Sequence, residues 1–325
     1  MRILIVKPSS LGDVVHALPV LRLLRLAHPD ARIDWWLSPG LFPLLAGDPD
    51  LDELIPFHKR GPRQWLQTLR RVRGTRYDLV VDLQGLARSG AMSWLADGSH
   101  SIGLDLNREG ARGFYDETVP RPSPGAHAVD WYLAVAQRLG LDIRQEFAWL
   151  PSRKTYAPPP AEPHVALIPG ARWQNKRWPT THFRTLTEQL LSRQADLRFA
   201  IYGDGGDRAL ATEITASHPK EVIDRTGTTP LPELVEHLRT ATVVVTNDTG
   251  PMHIAAALGR PVVALFGPTD PRLTGPYGSE TATLRLNLPC APCLKSRCRW
   301  QPREQCLTDL TPKTVAEEVW QHLRR

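Results

Sequence analysis

The chain has 325 residues, of which 42% are hydrophobic and 23% charged, a balance that excludes a disordered protein and suggests two domains. The formal net charge of +6 favours anionic partners such as nucleotides, phosphorylated glycans, nucleic acid or acidic membranes. No apolar run is long enough for a signal peptide or for a bilayer span, which needs ~18 residues. We therefore expect a cytoplasmic protein whose membrane contacts are peripheral.

Short β-branched runs alternate with helical patterns in the first half of the chain, which predicts βαβ units and a parallel sheet. The predicted strands are residues 3–6, 32–36 and 79–82, and the predicted helices are residues 14–26, 63–72, 86–95 and 128–139. A proline-rich stretch at residues 151–163, PSRKTYAPPPAEP, predicts a stiff linker, because proline removes backbone donors and disfavours helix.

A second α/β pattern begins after this linker. Its predicted strands are residues 164–169, 197–203, 242–248 and 261–267, and its predicted helices are residues 181–191, 209–216, 231–238, 252–258 and 312–323. We therefore predict an α/β fold with two Rossmann-like domains, at residues 1–155 and 156–325, whose parallel sheets face each other across a cleft.

The predicted first strand leads directly into the sequence VKPSSLGDVVHALP at residues 6–19. This junction is where open α/β sheets bind ligands. Ser10 and Asp13 have the spacing of a helix-capping box, and capping is the structural alternative for both residues. Because capping does not explain Lys7 at the same strand end, we expect Asp13 to have a chemical role.

Two loops at strand ends indicate a phosphate site in the second half, TNDTGPMHIAAALG at residues 246–259 and FGPTDP at residues 266–271. Backbone N–H groups at the start of a helix bind anions, helped by the helix dipole. The N–H groups expected to face the anion belong to Thr249, Gly250 and Met252, and His253 in the same turn could also reach a diphosphate. The alternative is that Asp248 or Thr249 only caps the helix, and that the histidine packs in the core.

Further polar loops follow other predicted strands. PGARWQNKRWP, at residues 169–179, supplies Gly170 and Lys176, which suit the diphosphate of a nucleotide. The alternative for this loop is a solvated basic segment. In YGDGGDR, at residues 202–208, a carboxylate, Asp204 or Asp207, could accept hydrogen bonds from ribose hydroxyls, or it could cap the next helix.

Basic and polar residues in the first half predict an electropositive face for an anionic acceptor. They are supplied by the segments HKRGPRQW and DLQGLARSG, of which the second also carries Gln84. The cations favoured are Lys59, Arg60, Arg63 and Arg88. For most arginines of residues 63–76 the alternative, a solvated helix face, is preferred.

These segments, in this order and spread over nearly the whole chain, resemble glycosyltransferase family 9, the lipopolysaccharide heptosyltransferases I and II. The resemblance implies a GT-B fold. It also implies an inverting transfer of L-glycero-D-manno-heptose from an ADP-activated donor to the Kdo–lipid A inner core, with peripheral contact at the cytoplasmic face of the inner membrane.

The resemblance also implies roles for particular residues. The catalytic aspartate of the family falls on Asp13, which would act as base, and its donor-binding lysine falls on Lys176, which would stabilise the departing ADP. Ser10, at the same strand end as Asp13, is a further candidate for donor binding, apart from the resemblance. The remaining donor-binding and acceptor-binding positions fall on Asp248, Thr249, Gly250, His253, Arg60, Arg63 and Arg88.

We predict no cofactor and no catalytic metal. No Asp-x-Asp motif stands where a nucleotide would bind, and cations with helix N–H groups could replace a divalent ion. The four cysteines have the spacing C-x2-C-x4-C-x7-C, which matches no standard zinc ribbon, so reduced structural thiols are favoured over metal ligands.

Three functions other than glycosyl transfer are alternatives for this sequence. A nucleic-acid-binding protein fits the net charge, but no recognised nucleic-acid module is present, so we expect no nucleic-acid partner. A nicotinamide dehydrogenase would need G-x-G-x-x-G after the first strand, where this chain has PSSLGD. An inactive sugar-binding relative is disfavoured by the joint presence of Asp13, Lys176 and His253.

Overall fold

The computed structural model describes residues 1–58, 61–106, 109–152, 164–278 and 280–324. The chain divides into two compact units, Met1–Arg153 and Lys154–Arg325. Lys59, Arg60 and most of the expected linker lie outside the described residues. Within the described residues, no helix combines the length and the apolar character that crossing a bilayer demands.

The first unit contains a six-stranded sheet. Its strands are β1 (Arg2–Val6), β2 (Arg32–Leu37), β3 (Glu53–Pro56), β4 (Leu79–Asp82), β5 (His100–Leu104) and β6 (Glu117–Val119). Its α-helices are α1 (Leu11–Ala27), α2 (Phe42–Leu45), α3 (Pro62–Thr75), α4 (Ala87–Leu95) and α5 (Ala128–Arg138). The strand order is β3-β2-β1-β4-β5-β6 with all pairs parallel, which is the order of Rossmann domains.

The core of the first unit is centred on β1 and α1. β1 is fully buried after its first residue, as expected for a central parallel strand covered on both faces. α1 is buried along most of its length and packs against α5. Arg22 is buried with the rest of α1, because Asp48 and Asp50 each bind its guanidinium at 2.6 Å and so offset the cost of burying its charge.

The second unit repeats this architecture. Its strands are β7 (His164–Ile168), β8 (Arg198–Ile201), β9 (Val222–Asp224), β10 (Val243–Asn247), β11 (Val262–Phe266) and β12 (Thr281–Arg285). Its α-helices are α6 (Thr180–Arg193), α7 (Arg208–Thr215), α8 (Leu231–Thr240), α9 (Gly250–Ala257), α10 (Pro271–Thr274), α11 (Gln305–Thr308) and α12 (Pro312–Leu323). The order β12-β11-β10-β7-β8-β9 is again entirely parallel.

The core of the second unit joins its central strands to the terminal helix. Trp178 and Phe183 are fully buried and pack with apolar residues of β7, β10 and α12, and their rings lie edge to face with centroids 4.9 Å apart. The Trp178 indole N–H donates to the carbonyl oxygen of Leu310 at 2.8 Å. The segment leading into α6 is therefore fixed to the start of α12.

In each sheet the chain first adds strands on one side of the first strand and then crosses to add strands on its other side. This switch point lies between β1 and β4 in the first unit and between β7 and β10 in the second. Such a change leaves a crevice outside the carboxyl ends of the two strands, where α/β proteins bind ligands. Ser10 and Asp13 follow β1, and Gln84 follows β4. Lys176 follows β7, and Asp248 follows β10. The predicted chemistry thus falls at both switch points.

All the predicted strands and helices are confirmed, with small shifts of their ends. α1 begins at Leu11 rather than residue 14, because Ser10 is its N-cap. The structure adds five strands that were not predicted, namely β3, β5, β6, β9 and β12.

Candidate functional site

The switch point of the second unit holds an ion pair. Lys176 ends a short 3₁₀ helix after β7, and its Nζ lies 2.5 Å from Oδ2 of Asp248. The Thr269 hydroxyl, on the loop after β11, donates to the same carboxylate oxygen at 2.6 Å. The ammonium also lies 4.8 Å from the centre of the Trp173 ring, a cation–π contact. Three loops at this sheet edge therefore fix one cation in place.

Asn247 closes the loop that carries Gly170 and Lys176. Its Nδ2 donates to the carbonyl oxygen of Pro169 at 2.7 Å, and its Oδ1 accepts from the backbone N–H of Trp178 at 3.0 Å. Asn247 is fully buried, so these bonds satisfy groups that water cannot reach. Asn247 was not among the predicted site residues, although an asparagine that ends a buried strand signals a need for hydrogen-bond partners.

Replacing Asn247 with alanine should lower the free energy of unfolding by about 2–4 kcal/mol, because two buried backbone groups lose their partners. If this loop binds the nucleotide donor that the resemblance implies, the KM for that donor should also rise, since both ends of the loop carrying Lys176 are released. Urea unfolding and steady-state kinetics measure the two effects. Gln301→Ala, at an exposed amide, is the control, and equal stability of the two variants would contradict the assignment.

The start of α9 lies beside the ion pair. Thr249 is its N-cap in an extended conformation, and the Thr249 side chain makes no capping hydrogen bond. Asp248 pairs with Lys176 instead of capping the helix. The expectation of a free Met252 N–H is wrong, because that group donates to the Thr249 carbonyl oxygen at 3.2 Å and its side chain is fully buried. His253 is buried in the same turn.

Asp207 lies under the loop after β7. Its Oδ2 accepts from the backbone N–H of Asp204 at 3.2 Å, which completes a capping box, and Nη2 of Arg177 lies 3.8 Å from its Oδ1. Burial raises the pKa of the Asp207 carboxyl, and the Asp204 charge adds to the shift. The contacts favour the capping alternative, and binding of ribose by this residue stays a prediction.

Gly170 leaves the space that Asp207 fills. A Cβ at Gly170 would lie 2.2 Å from Oδ2 of Asp207, so Gly170→Ala should displace a buried, hydrogen-bonded carboxylate. We expect the free energy of unfolding to fall by about 1–3 kcal/mol, measured by urea unfolding. Gly205→Ala is the matched control, because a Cβ there meets no atom within 4 Å. Equal stability of the two variants would contradict the steric argument.

At the first switch point, Asp13 lies in the first turn of α1. Its Oδ2 accepts from the backbone N–H of Ser10 at 2.9 Å and from the Ser10 hydroxyl at 2.6 Å. The capping geometry expected as the alternative is therefore present. It does not bury the residue, because Asp13 remains partly exposed and Ser10 is exposed, so a capping Asp13 is still within reach of a ligand.

Lys7 supplies a buried positive charge beneath Asp13. Its Nζ donates to the carbonyl oxygen of Leu83 at 2.8 Å and lies 5.0 Å from the centre of the Tyr132 ring. Burial lowers the pKa of the Lys7 ammonium, but Tyr132 and the Asp13 carboxylate raise it by more, so the net pKa is raised. The sequence placed Lys7 at the strand end but gave it no role, and it gave no signal for Tyr132.

The residues predicted to bind the acceptor are spread over two helices and a turn. Gln84 follows β4, and its backbone N–H donates to Oδ1 of the buried Asp82 at 2.7 Å. Burial raises the pKa of the Asp82 carboxyl, although a hydrogen bond from Tyr115 lowers it. Arg63 on α3 and Arg88 on α4 are both exposed. Acceptor binding by these residues stays a prediction.

The cysteines are free thiols that line a common cavity of about 220 Å³. Burial and the neighbouring thiols raise the pKa of Cys306 to about 11, so this thiol is protonated at neutral pH. Across the described part of the chain, no three His, Cys, Asp or Glu side chains are arranged to hold a metal ion.

Two units of Rossmann topology with polar loops at both switch points are the architecture of a GT-B glycosyltransferase. The chain belongs to glycosyltransferase family 9 (heptosyltransferase), whose family model matches residues 65–303. The family assignment makes the chain an enzyme that transfers a glycosyl group.

The chain is similar to characterised relatives over almost its full length. It is 33% identical to lipopolysaccharide heptosyltransferase 1 of Pseudomonas aeruginosa, over 98% of this chain and 97% of that protein. The structure of E. coli ADP-heptose LPS heptosyltransferase II superposes with a TM-score of 0.80 at 27% identity, covering 100% of this chain and 99% of that one. E. coli heptosyltransferase WaaC with ADP gives 0.80 at 26% identity, over 99% and 100%.

Proposed function

We propose that this enzyme transfers L-glycero-D-manno-heptose from ADP-heptose to the Kdo–lipid A inner core of lipopolysaccharide, with inversion at the anomeric carbon. The observation that carries the proposal is the Lys176–Asp248 ion pair at the switch point of the second unit. It is supported by the relatives, which are heptosyltransferases by name, and by the ADP bound in one of their structures.

The second unit would bind the donor. Lys176 would supply positive charge to the diphosphate, and Asp248, whose Oδ2 lies 2.5 Å from the ammonium, would position that charge. The start of α9 would add N–H groups that face an anion, from Thr249 and Gly250, and His253 lies in the same turn. Gly170 would let the backbone of its loop approach the donor, and Ser10 and Asp207 would contact the donor in addition to making their capping hydrogen bonds.

Asp13 would act as the general base. A free aspartic acid has a pKa of ~3.9, too low to ionise an alcohol beforehand, so the proton must move as the new bond forms. The acceptor oxygen would attack the anomeric carbon, its proton would pass to Asp13, and the bond to the diphosphate oxygen would break. ADP would leave with that electron pair, stabilised by Lys176.

The first unit would bind the acceptor. Inner-core glycans of lipid A carry carboxylates and phosphates, which arginine binds through paired hydrogen bonds. Arg63 and Arg88 are exposed cations on neighbouring helices, and Gln84 lies at the switch point. Arg60 is assigned to the same role by the resemblance alone.

A panel of nucleotide sugars tests the proposed donor. Thermal unfolding would be followed with ADP-heptose, ADP-glucose, UDP-glucose and GDP-mannose, because a ligand that binds only the folded state raises Tm by mass action. ADP-heptose should give the largest rise and should be consumed when Kdo–lipid A is added. If a different nucleotide sugar gave the largest rise in Tm and were turned over, that sugar would be the donor, and the enzyme would be a glycosyltransferase that does not use ADP-heptose.

Exhaustive chelation should leave the transfer rate unchanged. The physical reason is that Lys176 and the N–H groups of α9 can stabilise the leaving diphosphate without a divalent ion. The measurement is the initial rate after treatment with EDTA, compared with an untreated sample. A loss of activity that only added Mg²⁺ restores would contradict metal independence.

A further inference from the structure

A basic loop projects from the second unit at residues 293–303, with the sequence CLKSRCRWQPR. All of its residues except Cys298 are exposed. Two of them are large and apolar, namely Leu294, with 58% of its surface exposed, and Trp300, with 51%. Two large exposed apolar side chains on one short loop are a feature that a contact surface would use.

The loop also carries uncompensated positive charge. It contains four cations, Lys295, Arg297, Arg299 and Arg303, and no acidic residue. Among the described residues, none of these four side chains forms an ion pair. Two other exposed arginines of this unit are neutralised by ion pairs, Arg193 by Glu317 and Arg272 by Asp270. The charge of the basic loop is therefore free to attract an anionic partner.

The basic loop is tied to the donor-site loops by hydrogen bonds. The Leu294 N–H donates to the carbonyl oxygen of Pro268 at 2.8 Å, next to Thr269. The Asn175 side chain donates to the carbonyl oxygen of Lys295 at 2.8 Å, next to Lys176. These anchors fix the loop backbone, so the exposed Leu294 and Trp300 are presented from an ordered support.

We propose that the basic loop docks this enzyme on the surface of an anionic phospholipid membrane. The four cations would bind lipid phosphates, and Trp300 and Leu294 would enter the interface, where tryptophan is favoured. A nucleic acid would satisfy the charges but would leave Leu294 in water, so the apolar residues favour a bilayer. Docking of this kind does not depend on which sugar is transferred, and it brings the donor site to a lipid-linked acceptor.

Co-sedimentation of the full chain with vesicles tests the proposal. The vesicles would be pure phosphatidylcholine, or phosphatidylcholine mixed with phosphatidylglycerol. We expect binding to the mixed vesicles that weakens with added salt. Arg297→Glu/Arg299→Glu should reduce the partition coefficient by at least ~30-fold, since each cation near an anionic surface contributes about fivefold. Lys220→Glu/Lys313→Glu, exposed cations of the same unit, should bind almost as the wild type does.

The apolar contribution is tested separately with Leu294→Ser/Trp300→Ser. This variant should bind mixed vesicles more weakly, while the slope of binding against salt stays the same because its charge is unchanged. The control is Ile223→Ser, at an apolar residue with 44% of its surface exposed. Circular dichroism and Tm confirm folding of each variant. Unchanged binding by both loop variants, or binding of RNA but not of vesicles, would overturn the proposal.

Discussion

Replacing Asp13 with asparagine should reduce the transfer rate by about 10²–10⁴-fold, the range expected for loss of a general base. The substitution removes the proton acceptor, yet asparagine keeps an oxygen that can accept from the Ser10 N–H and hydroxyl, which now bond at 2.9 and 2.6 Å. The cap of α1 should therefore survive, and the loss should appear in kcat, measured with saturating ADP-heptose.

The control for this prediction is Asp30→Asn, which makes the same chemical change at an exposed position of the first unit. Its rate and its Tm should match those of the wild type. Near-normal turnover by a folded Asp13→Asn enzyme would remove Asp13 as the base and leave it as a helix cap.

Replacing Lys176 with methionine should raise the Kd for ADP-heptose by about 100-fold, within the range for losing a charged hydrogen bond. The variant leaves the Asp248 carboxylate, which is 9% exposed, without its cation and close to the incoming diphosphate. Two effects then weaken donor binding together, because the diphosphate loses its attraction to Lys176 and is repelled by Asp248. Isothermal titration with ADP-heptose, or with ADP as product, measures the change.

A double variant separates these two effects. Lys176→Met/Asp248→Asn removes the repelling carboxylate as well, so it should bind the donor more tightly than Lys176→Met alone while remaining weaker than the wild type. Arg172→Met, at an exposed cation of the same loop, should bind normally. If the double variant binds no better than the single one, the Asp248 carboxylate does not repel the donor.

The central strands were predictable from the sequence, whereas the outer strands were not. β1, β7, β10 and β11 are buried on both faces and read as continuous apolar runs. β9, by contrast, has three residues, of which only Val222 is buried. β12 is partly exposed along its length. Such strands owe their formation to pairing with a neighbour, and that pairing leaves little trace in the local sequence.

The sequence predicted which strand end carries each residue of the candidate site, but not the contacts that those residues make. Lys176 and Asp248 were each assigned from their position after a strand, because topology alone brings carboxyl ends of parallel strands together. Their pairing with each other, with Thr269 as a third partner, depends on side-chain directions. The same limit explains Met252, whose N–H points to Thr249 rather than outward, and Asn247, whose partners lie far away in the chain.

The partnership of Asp248 with Lys176 has a consequence for turnover. A lysine that binds ADP strongly enough to assist its departure from the sugar would also retain ADP as product, and release would then limit the rate. If Lys176 binds the nucleotide as proposed, Asp248 would offer its ammonium an internal counterion once the nucleotide leaves. The charge of Lys176 would then be partly neutralised, and we expect inorganic phosphate to compete with ADP only weakly in titrations.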